Sequence, residues 1–254
     1  MRTGEIITFE TPIPQLGVES RRVWVYLPPG YGRRGRWPVL YMHDGQNLFD
    51  PETSYAGDWG VHRVIDGLCA KGLTRGAIVA GVDNGGDERW NEYSPWCRPE
   101  GGGRCRGADY ADFLADTLKP RMDAEFRTLP GRADTGVAGS SLGGTISWYA
   151  LLARGETFGL GGMFSPAFWF AGRRPDALLR SARLRPGARV YFDAGTREGS
   201  HEASYVGDAA RLAGLCARRP GVSVNLVIDA GGEHNEAAWA RRFPAAFLWL
   251  LNGR

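Results

Sequence analysis

Residues 137–144 read VAGSSLGG, and this stretch decides the fold. Residues 134–139 lead into Ser141 and predict a strand, and those from Leu142 onward predict a helix. Ser141 lies between them, with glycines two positions before and after it. A sharp strand-to-helix turn strains the backbone of its middle residue, and side chains at those two flanking positions would collide. Ser140 lacks glycines at both offsets, so Ser141 is predicted as the nucleophile at the tip of the turn.

Outward from this turn, apolar β-branched runs alternate with amphipathic helical runs. The predicted strands cover residues 22–27, 38–43, 77–82, 134–139, 161–165, 189–194 and 222–228. The predicted helices cover residues 110–126, 142–152, 203–217 and 236–251. This alternation is typical of an α/β fold with a mainly parallel central sheet and helices on both faces. We find no repeat or linker and expect one domain over residues 1–254.

Two long irregular stretches, residues 44–58 and 83–107, interrupt this alternation. Each follows a predicted strand, so both should emerge at the carboxyl ends of the sheet, where α/β folds bind ligands. Trp90, Tyr93 and Trp96 favour an ordered, pocket-forming loop over a disordered one in the second stretch.

A nucleophilic serine needs a base, and the chain has four histidines. His234 follows the last predicted strand and precedes the last helix, which is where the chain order serine, acid, histidine puts the base. His43 is expected to shape a turn after its strand, His62 to pack on a helix, and His201 to lie in a loop. We therefore predict His234 as general base.

The acid that orients the base should follow the strand at residues 189–194. Asp193, Glu198 and Glu202 are the candidates. Asp193 falls within the strand, whereas Glu198 lies on the loop just beyond it, so Glu198 is favoured while the other two stay open. An ion pair with a nearby arginine is the competing explanation for Glu198.

The oxyanion of the reaction needs two backbone N–H donors. The residue after the nucleophile, Leu142, should supply one, and Gln46 in the turn after the strand at residues 38–43 should supply the other. Asp44 and Asn47 could bind a cation, but one such pair is weak evidence, and we expect no metal site.

Composition excludes several function classes. The chain has 254 residues, a net charge of +3 and 43% hydrophobic residues, with its arginines scattered. This indicates a globular protein with neither a nucleic-acid footprint nor a membrane patch. No apolar run reaches the length of a membrane span, and the N-terminus does not resemble a signal peptide, so we expect a cytoplasmic location.

The four cysteines include no CxxC pair. Cys97 and Cys105 flank a glycine-rich loop and could form a local disulfide. In a cytosolic protein two free thiols are expected instead.

Eight segments together resemble the esterase D-like "putative esterase" family of α/β-hydrolases, which includes feruloyl and acetyl xylan esterases, siderophore esterases and mycolyltransferases. The segments, which occur in order along nearly the whole chain, are YLPPGY (26–31), PVLYMHDGQNLFD (38–50), AGDWGV (56–61), NEYSPW (91–96), AGSSLGG (138–144), FSPAFWF (164–170), DAGTREG (193–199) and GGEHNEAAW (231–239). The resemblance implies an α/β-hydrolase fold with Ser141 as nucleophile, His234 as base and Glu198 as acid. It also implies that Gln46 supplies an oxyanion N–H and that four aromatic residues line the acyl or alcohol pocket, namely Trp59, Trp96, Phe168 and Trp169. We also predict Asp44 as a substrate-binding residue.

These observations predict a serine esterase that hydrolyses a small or aromatic acyl ester through an acyl-enzyme, without a cofactor. We expect a small-molecule ester as its partner and no nucleic acid or membrane. The oligomeric state stays open. The alternatives are acyl transfer with the same three residues, and a catalytically silent binding protein on the same scaffold.

Overall fold

Eight strands form one sheet in the computed structural model, which describes residues 3–32, 35–97, 104–182 and 184–252, and of residues 201–203 only the backbone. The strands are β1 (Glu5–Ile13), β2 (Val18–Leu27), β3 (Val39–His43), β4 (Ile78–Val82), β5 (Thr135–Ser140), β6 (Leu160–Phe164), β7 (Arg189–Arg197) and β8 (Ser223–Glu233). Their order across the sheet is β1-β2-β4-β3-β5-β6-β7-β8. The six strands from β4 to β8 are parallel, and β2 runs antiparallel to both β1 and β4.

Helices connect the parallel strands. They are α1 (Val61–Ala70), α2 (Arg89–Tyr93), α3 (Gly107–Phe113), α4 (Lys119–Glu125), α5 (Leu142–Ala153), α6 (Arg174–Ser181), α7 (Glu202–Ala217) and α8 (Glu236–Asn252). A π-helical turn at Leu114–Leu118 joins α3 to α4. This architecture confirms the predicted α/β-hydrolase fold with helices on both faces.

Each face of the sheet has its own apolar core. The central strands β3, β4, β5 and β6 are buried at every position, which is why their sequences are short apolar runs without polar alternation. One core lies under α1 and α8 and contains Trp59, Phe164 and Phe247. The other lies on the opposite face and contains Phe113 and Trp148. These packed layers hold the strand ends in fixed positions.

Every strand predicted from the sequence is present. The strand β2 begins at Val18, four residues before its predicted start. The sequence did not predict β1, which pairs with β2 at the edge of the sheet. The strands β7 and β8 extend to Arg197 and Glu233, three and five residues beyond their predicted ends. No helix in the described part of the chain has both the length and the apolar composition to cross a membrane.

The expectation of free thiols at Cys97 and Cys105 is wrong. The two residues form a disulfide in the structure, with their Cα atoms 5.1 Å apart. This separation lies within the range that a disulfide requires. Cys69 and Cys216 are free thiols.

Candidate active site

Ser141 occupies the sharp turn between β5 and α5, with φ 57° and ψ −122°. A positive φ is uncommon for a residue with a side chain and costs free energy that the surrounding structure must offset. The Ser141 N–H donates to the Phe164 carbonyl at 3.0 Å. Its own carbonyl accepts from the N–H groups of Thr145 and Ala167, at 3.1 and 3.0 Å. These bonds fix the turn and hold the Ser141 side chain at the edge of the sheet.

The two flanking glycines are required by close contacts. A Cβ atom on Gly139 would lie 2.9 Å from the carbonyl carbon of Gly143 and from Cδ2 of His43. A Cβ atom on Gly143 would lie 3.3 Å from Cβ of His43. The pattern of glycines in the sequence therefore reflects how closely α5 approaches β5 and the end of β3.

His234 and Glu198 meet because neighbouring parallel strands end side by side. Arg197 of β7 pairs with Glu233 of β8 in the last rung of the ladder. The next residue of each strand is Glu198 or His234, so both side chains leave the sheet at the same point. His234 Nδ1 lies 3.0 Å from Glu198 Oε2.

Glu198 is the candidate acid that contacts the histidine. Its side chain is buried, and its Oε1 also accepts from the Ser165 hydroxyl and the Gly195 N–H, each at 2.5 Å. Asp193 lies inside β7 and instead accepts from the Ser165 N–H at 3.0 Å. The side chain of Glu202, the third candidate, lies outside the described residues.

The two predicted oxyanion donors are available at the same edge of the sheet. Leu142 is the first residue of α5, where N–H groups have no acceptor within the helix. Gln46 lies in a short 3-10 helix, Gly45–Asn47, directly after β3. No turn or loop hydrogen bond of the described chain uses the N–H of either residue.

A cleft of about 620 Å³ opens at this edge. It is lined mainly by polar side chains from the loops after β3, β4, β5 and β8. The lining residues are Asp44, Gln46, Asn47, Tyr55, Ala56, Asn84, Gly86, Asp87, Arg89, Ser140, Ser141, His234, Asn235, Glu236 and Trp239. Ser141 and His234 thus face one space, together with the predicted residues Asp44 and Gln46.

The Asp44 carboxylate is fully engaged by neighbouring side chains. Arg89 donates to it from Nε at 2.6 Å and from Nη2 at 2.9 Å, and Asn84 Nδ2 donates at 2.6 Å. Burial opposes ionisation, but the charge and hydrogen bonds of Arg89 hold the pKa of Asp44 below its usual value. Within the described part of the chain, no group of three or more His, Cys, Asp or Glu residues could hold a metal ion.

The structure does not place the four predicted aromatic residues on the cleft wall. Trp59 and Phe168 are buried in the two cores, where Trp59 packs edge-on against Phe164. Trp96 packs edge-on against Tyr149. Bulky apolar side chains bury most surface in the core, which explains why these residues do not line the cleft.

Trp169, the fourth of these residues, contacts the site through a tyrosine. Its Nε1 lies 3.2 Å from the Tyr205 hydroxyl, and the Tyr205 ring packs on His234 with centroids 4.6 Å apart. Burial raises the pKa of Tyr205, whereas hydrogen bonds with Trp169 and with the Ser141 side chain oppose that rise.

Sequence reasoning missed Tyr205, Ser165 and Arg89 as residues of the site. Tyr205 lies inside α7 and Arg89 begins α2, within a stretch that the sequence predicted as a loop, and neither has a spacing that points to the serine. Ser165 carried one usable signal, which is its position at the end of a buried strand.

Several known proteins are similar to this chain in sequence or in fold. The family model described as "Putative esterase" matches residues 17–250. The uncharacterized protein YbbA of Bacillus subtilis is 24% identical over 244 residues, covering 91% of this chain and 92% of that protein. An endo-1,4-beta-xylanase/feruloyl esterase of Xylanibacter ruminicola is 30% identical over 149 residues, which cover 56% of this chain and 19% of that protein. The crystal structure of the BES protein from Bacillus cereus superposes with a TM-score of 0.79 at 16% identity, covering 98% of this chain and 96% of that one.

Proposed function

Because this chain belongs to the "Putative esterase" family and is a carboxylic-ester hydrolase, we propose that it acts through an acyl-enzyme on Ser141. The observation that carries this proposal is the strained Ser141 facing the same cleft as the His234–Glu198 pair. This chemistry needs a nucleophile exposed on a sharp turn and a base that a carboxylate orients.

In the first half-reaction, Ser141 Oγ attacks the ester carbonyl carbon while His234 Nε2 takes the hydroxyl proton. Glu198 holds the Nδ1–H of the imidazole and stabilises the imidazolium that forms. The N–H groups of Leu142 and Gln46 bind the oxyanion of the tetrahedral intermediate. His234 then gives its proton to the leaving alcohol, and the acyl group stays on Ser141.

In the second half-reaction, His234 takes a proton from water, and the resulting hydroxide attacks the acyl carbonyl. Collapse of the second tetrahedral intermediate releases the carboxylic acid and returns the proton to Ser141. If an alcohol takes the place of water, the same residues transfer the acyl group to it.

We further propose an ester with a small or aromatic acyl group as substrate. The feruloyl esterase similarity and the aromatic side chains of Tyr55 and Trp239 in the cleft support the aromatic choice. Methyl ferulate, p-nitrophenyl acetate and p-nitrophenyl butyrate test this range directly.

The mechanism is tested with wild type, Ser141→Ala and Ser181→Ala. Ser181 is a surface serine at the end of α6 and serves as the control. We expect kcat of Ser141→Ala to fall by about 10⁴- to 10⁶-fold, with Ser181→Ala unchanged. A fluorophosphonate probe followed by mass spectrometry of peptides should place the label on Ser141.

Other outcomes would contradict the nucleophile assignment, the enzymatic activity, or hydrolysis as the main reaction of the acyl-enzyme. Full activity in Ser141→Ala, or a label on Ser140, would refute the nucleophile assignment. Neither turnover nor labelling in wild type would favour a silent binding protein. Ester products outweighing the free acid when an alcohol is added would favour acyl transfer.

A further inference from the structure

Ser165 lies between the strands that carry the nucleophile and the acid. It directly follows β6, has φ 42° and is fully buried. Its N–H lies 3.0 Å from both the carbonyl oxygen and Oδ1 of Asp193. These contacts hold a serine in the left-handed region of the backbone map, where few residues with side chains are found.

The Ser165 hydroxyl makes every hydrogen bond that a hydroxyl can make. It donates to Glu198 Oε1 at 2.5 Å and accepts from Trp239 Nε1 at 3.0 Å and Arg242 Nη2 at 2.9 Å. A hydroxyl has one donor and two acceptor positions, so this set is complete. The donor position is the one directed at the candidate acid.

The hydroxyl also separates the acid from a buried cation. Arg242 is buried, and its Nη2 lies 3.9 Å from Glu198 Oε1, beyond hydrogen-bonding distance. Its other nitrogens lie 3.2 Å from Asp193 Oδ2 and 3.2 Å from Asp229 Oδ2. A direct arginine–carboxylate bond is strong in a buried site and would compete with His234 for Glu198.

We infer that Ser165 is a positioning residue whose hydroxyl holds Glu198 toward His234 and keeps it apart from Arg242. This inference rests on the proposed role of Glu198 as the acid. Ser165 is not among the residues that line the cleft, so it acts on the reaction through its hydrogen-bond partners, and among these Glu198 is the proposed acid.

The test compares Ser165→Ala with Ser165→Gly. Both remove the hydroxyl, but glycine adopts a positive φ without strain, so the pair separates the hydroxyl from the backbone. Ser147→Ala is the matched control, because Ser147 is a buried serine on α5 whose hydroxyl bonds a helix carbonyl at 2.7 Å. With p-nitrophenyl butyrate, we expect kcat to fall about 10- to 100-fold in both Ser165 variants, as for a small misplacement of a catalytic group.

We expect KM of both variants to stay within about twofold of wild type, because the acid is misplaced while the cleft is intact. A double-mutant cycle with Glu198→Gln then separates positioning from general damage. In the Glu198→Gln background, Ser165→Ala should change kcat by less than about twofold, because the carboxylate that the hydroxyl holds toward His234 is already absent.

Several results would overturn the inference. One is that Ser165→Gly keeps wild-type kcat, which would assign the effect to the backbone. Another is that Ser165→Ala lowers kcat equally in wild type and in the Glu198→Gln background, which a purely structural role predicts. If Ser165→Ala does not fold, Ser165→Gly carries the same cycle. An unchanged kcat in Glu198→Gln alone would instead refute the proposed acid, a result read independently of Ser165.

Discussion

Three residues other than glycine have a positive φ in the described part of the chain: Asp44, Ser141 and Ser165. Each directly follows a strand, β3, β5 or β6, at the same edge of the sheet. A positive φ turns the chain sharply and leaves the side chain at the strand end instead of carrying it along an outgoing loop. The strain of this fold is therefore concentrated where the candidate chemistry takes place.

Gly139→Ala tests the closeness of that packing. The new Cβ would lie 2.9 Å from backbone of Gly143, which cannot move without shifting α5. We expect the free energy of unfolding to fall by about 1–3 kcal/mol, as for an overpacked core, and turnover to be lost with the turn. Urea denaturation and p-nitrophenyl butyrate hydrolysis measure the two effects.

Gly207→Ala is the control, since Gly207 lies inside α7 with no atom within 4 Å of the new methyl group. This variant should gain about 0.5–1 kcal/mol, because alanine loses less backbone entropy than glycine in a helix. Equal stability of the two alanine variants would show that the contacts at Gly139 are not restrictive.

The sequence predicts Ser141 as nucleophile and His234 as base because each has a local signature or a place in the chain order. It left the acid open among three carboxylates, since that choice depends on where β7 ends. Glu198 is brought to His234 by a register shift between Gly195 and Arg197, which lets β7 and β8 continue as a pair. A Cβ on Gly195 would meet the carbonyl of Gly232, so only that glycine permits the approach. Such a contact between distant residues leaves no periodic signal in either segment.

At the scale of elements, the central parallel strands were predictable because burial on both faces makes them short apolar runs. The edge strand β1 was not predicted, since most of its residues are exposed or half-buried and it is not a continuous apolar run. The helix α2 was also missed. Its five residues lie inside the stretch predicted as a pocket-forming loop, and tertiary contacts rather than helix periodicity hold it in place.

The main such contact is a buried ion pair between Arg21 of β2 and Glu92 of α2. Two hydrogen bonds of 2.8 and 2.9 Å join them, with both side chains less than a tenth exposed. We expect Glu92→Gln to lower the free energy of unfolding by about 3–5 kcal/mol, because it leaves a buried guanidinium without its counter-charge. Since α2 begins with Arg89, which pairs with Asp44 in the cleft, KM should rise as well.

The control for this prediction is Asp58→Asn, which breaks a pair with the exposed Arg63. The Arg63 side chain is 56% exposed, so solvent screens this pair and the loss there should stay below about 1 kcal/mol. Urea denaturation of both variants gives the comparison. A loss in Glu92→Gln no larger than in Asp58→Asn would show that the buried pair does not anchor α2.

For the molecule as a whole, the burial of His43 predicts that the folded state loses stability in acid. It is buried at the end of β3, and its Nε2 has no hydrogen-bond partner within the described chain. Burial lowers the pKa of His43 to about 3. The charge of Asp44 opposes this shift, whereas the charge of Arg89 adds to it. The folded protein therefore holds this ring neutral, while the unfolded chain protonates it near pH 6.5. Between these two values, stability must fall as the pH falls, by about 1.4 kcal/mol per pH unit.

His43→Asn, which can keep a polar contact with the Tyr110 hydroxyl, removes this pH-dependent contribution to stability. The difference in free energy of unfolding between wild type and variant should shrink by about 2 kcal/mol from pH 7 to pH 5. Burial raises the pKa of Asp193 to about 7, so the stability that this residue contributes is lost as the pH rises. Asp193 is present in both wild type and His43→Asn, so its contribution cancels in the difference. Burial also lowers the pKa of His62 on α1, but this histidine is partly exposed, so His62→Asn should show a smaller change with pH and gives the comparison. Parallel pH curves for wild type and His43→Asn would contradict the prediction.

The covering of one sheet face by α8 has a consequence for synthesis on the ribosome. The residues beneath it, among them Phe164 and Tyr191, are made long before Trp239 and Phe243 of α8 emerge to cover them. His234 also emerges at this late point, directly before α8. A growing chain therefore exposes an aromatic surface, which is what chaperones bind. At the same stage it still lacks the proposed general base. Onset of turnover during translation would mark the moment at which this surface closes.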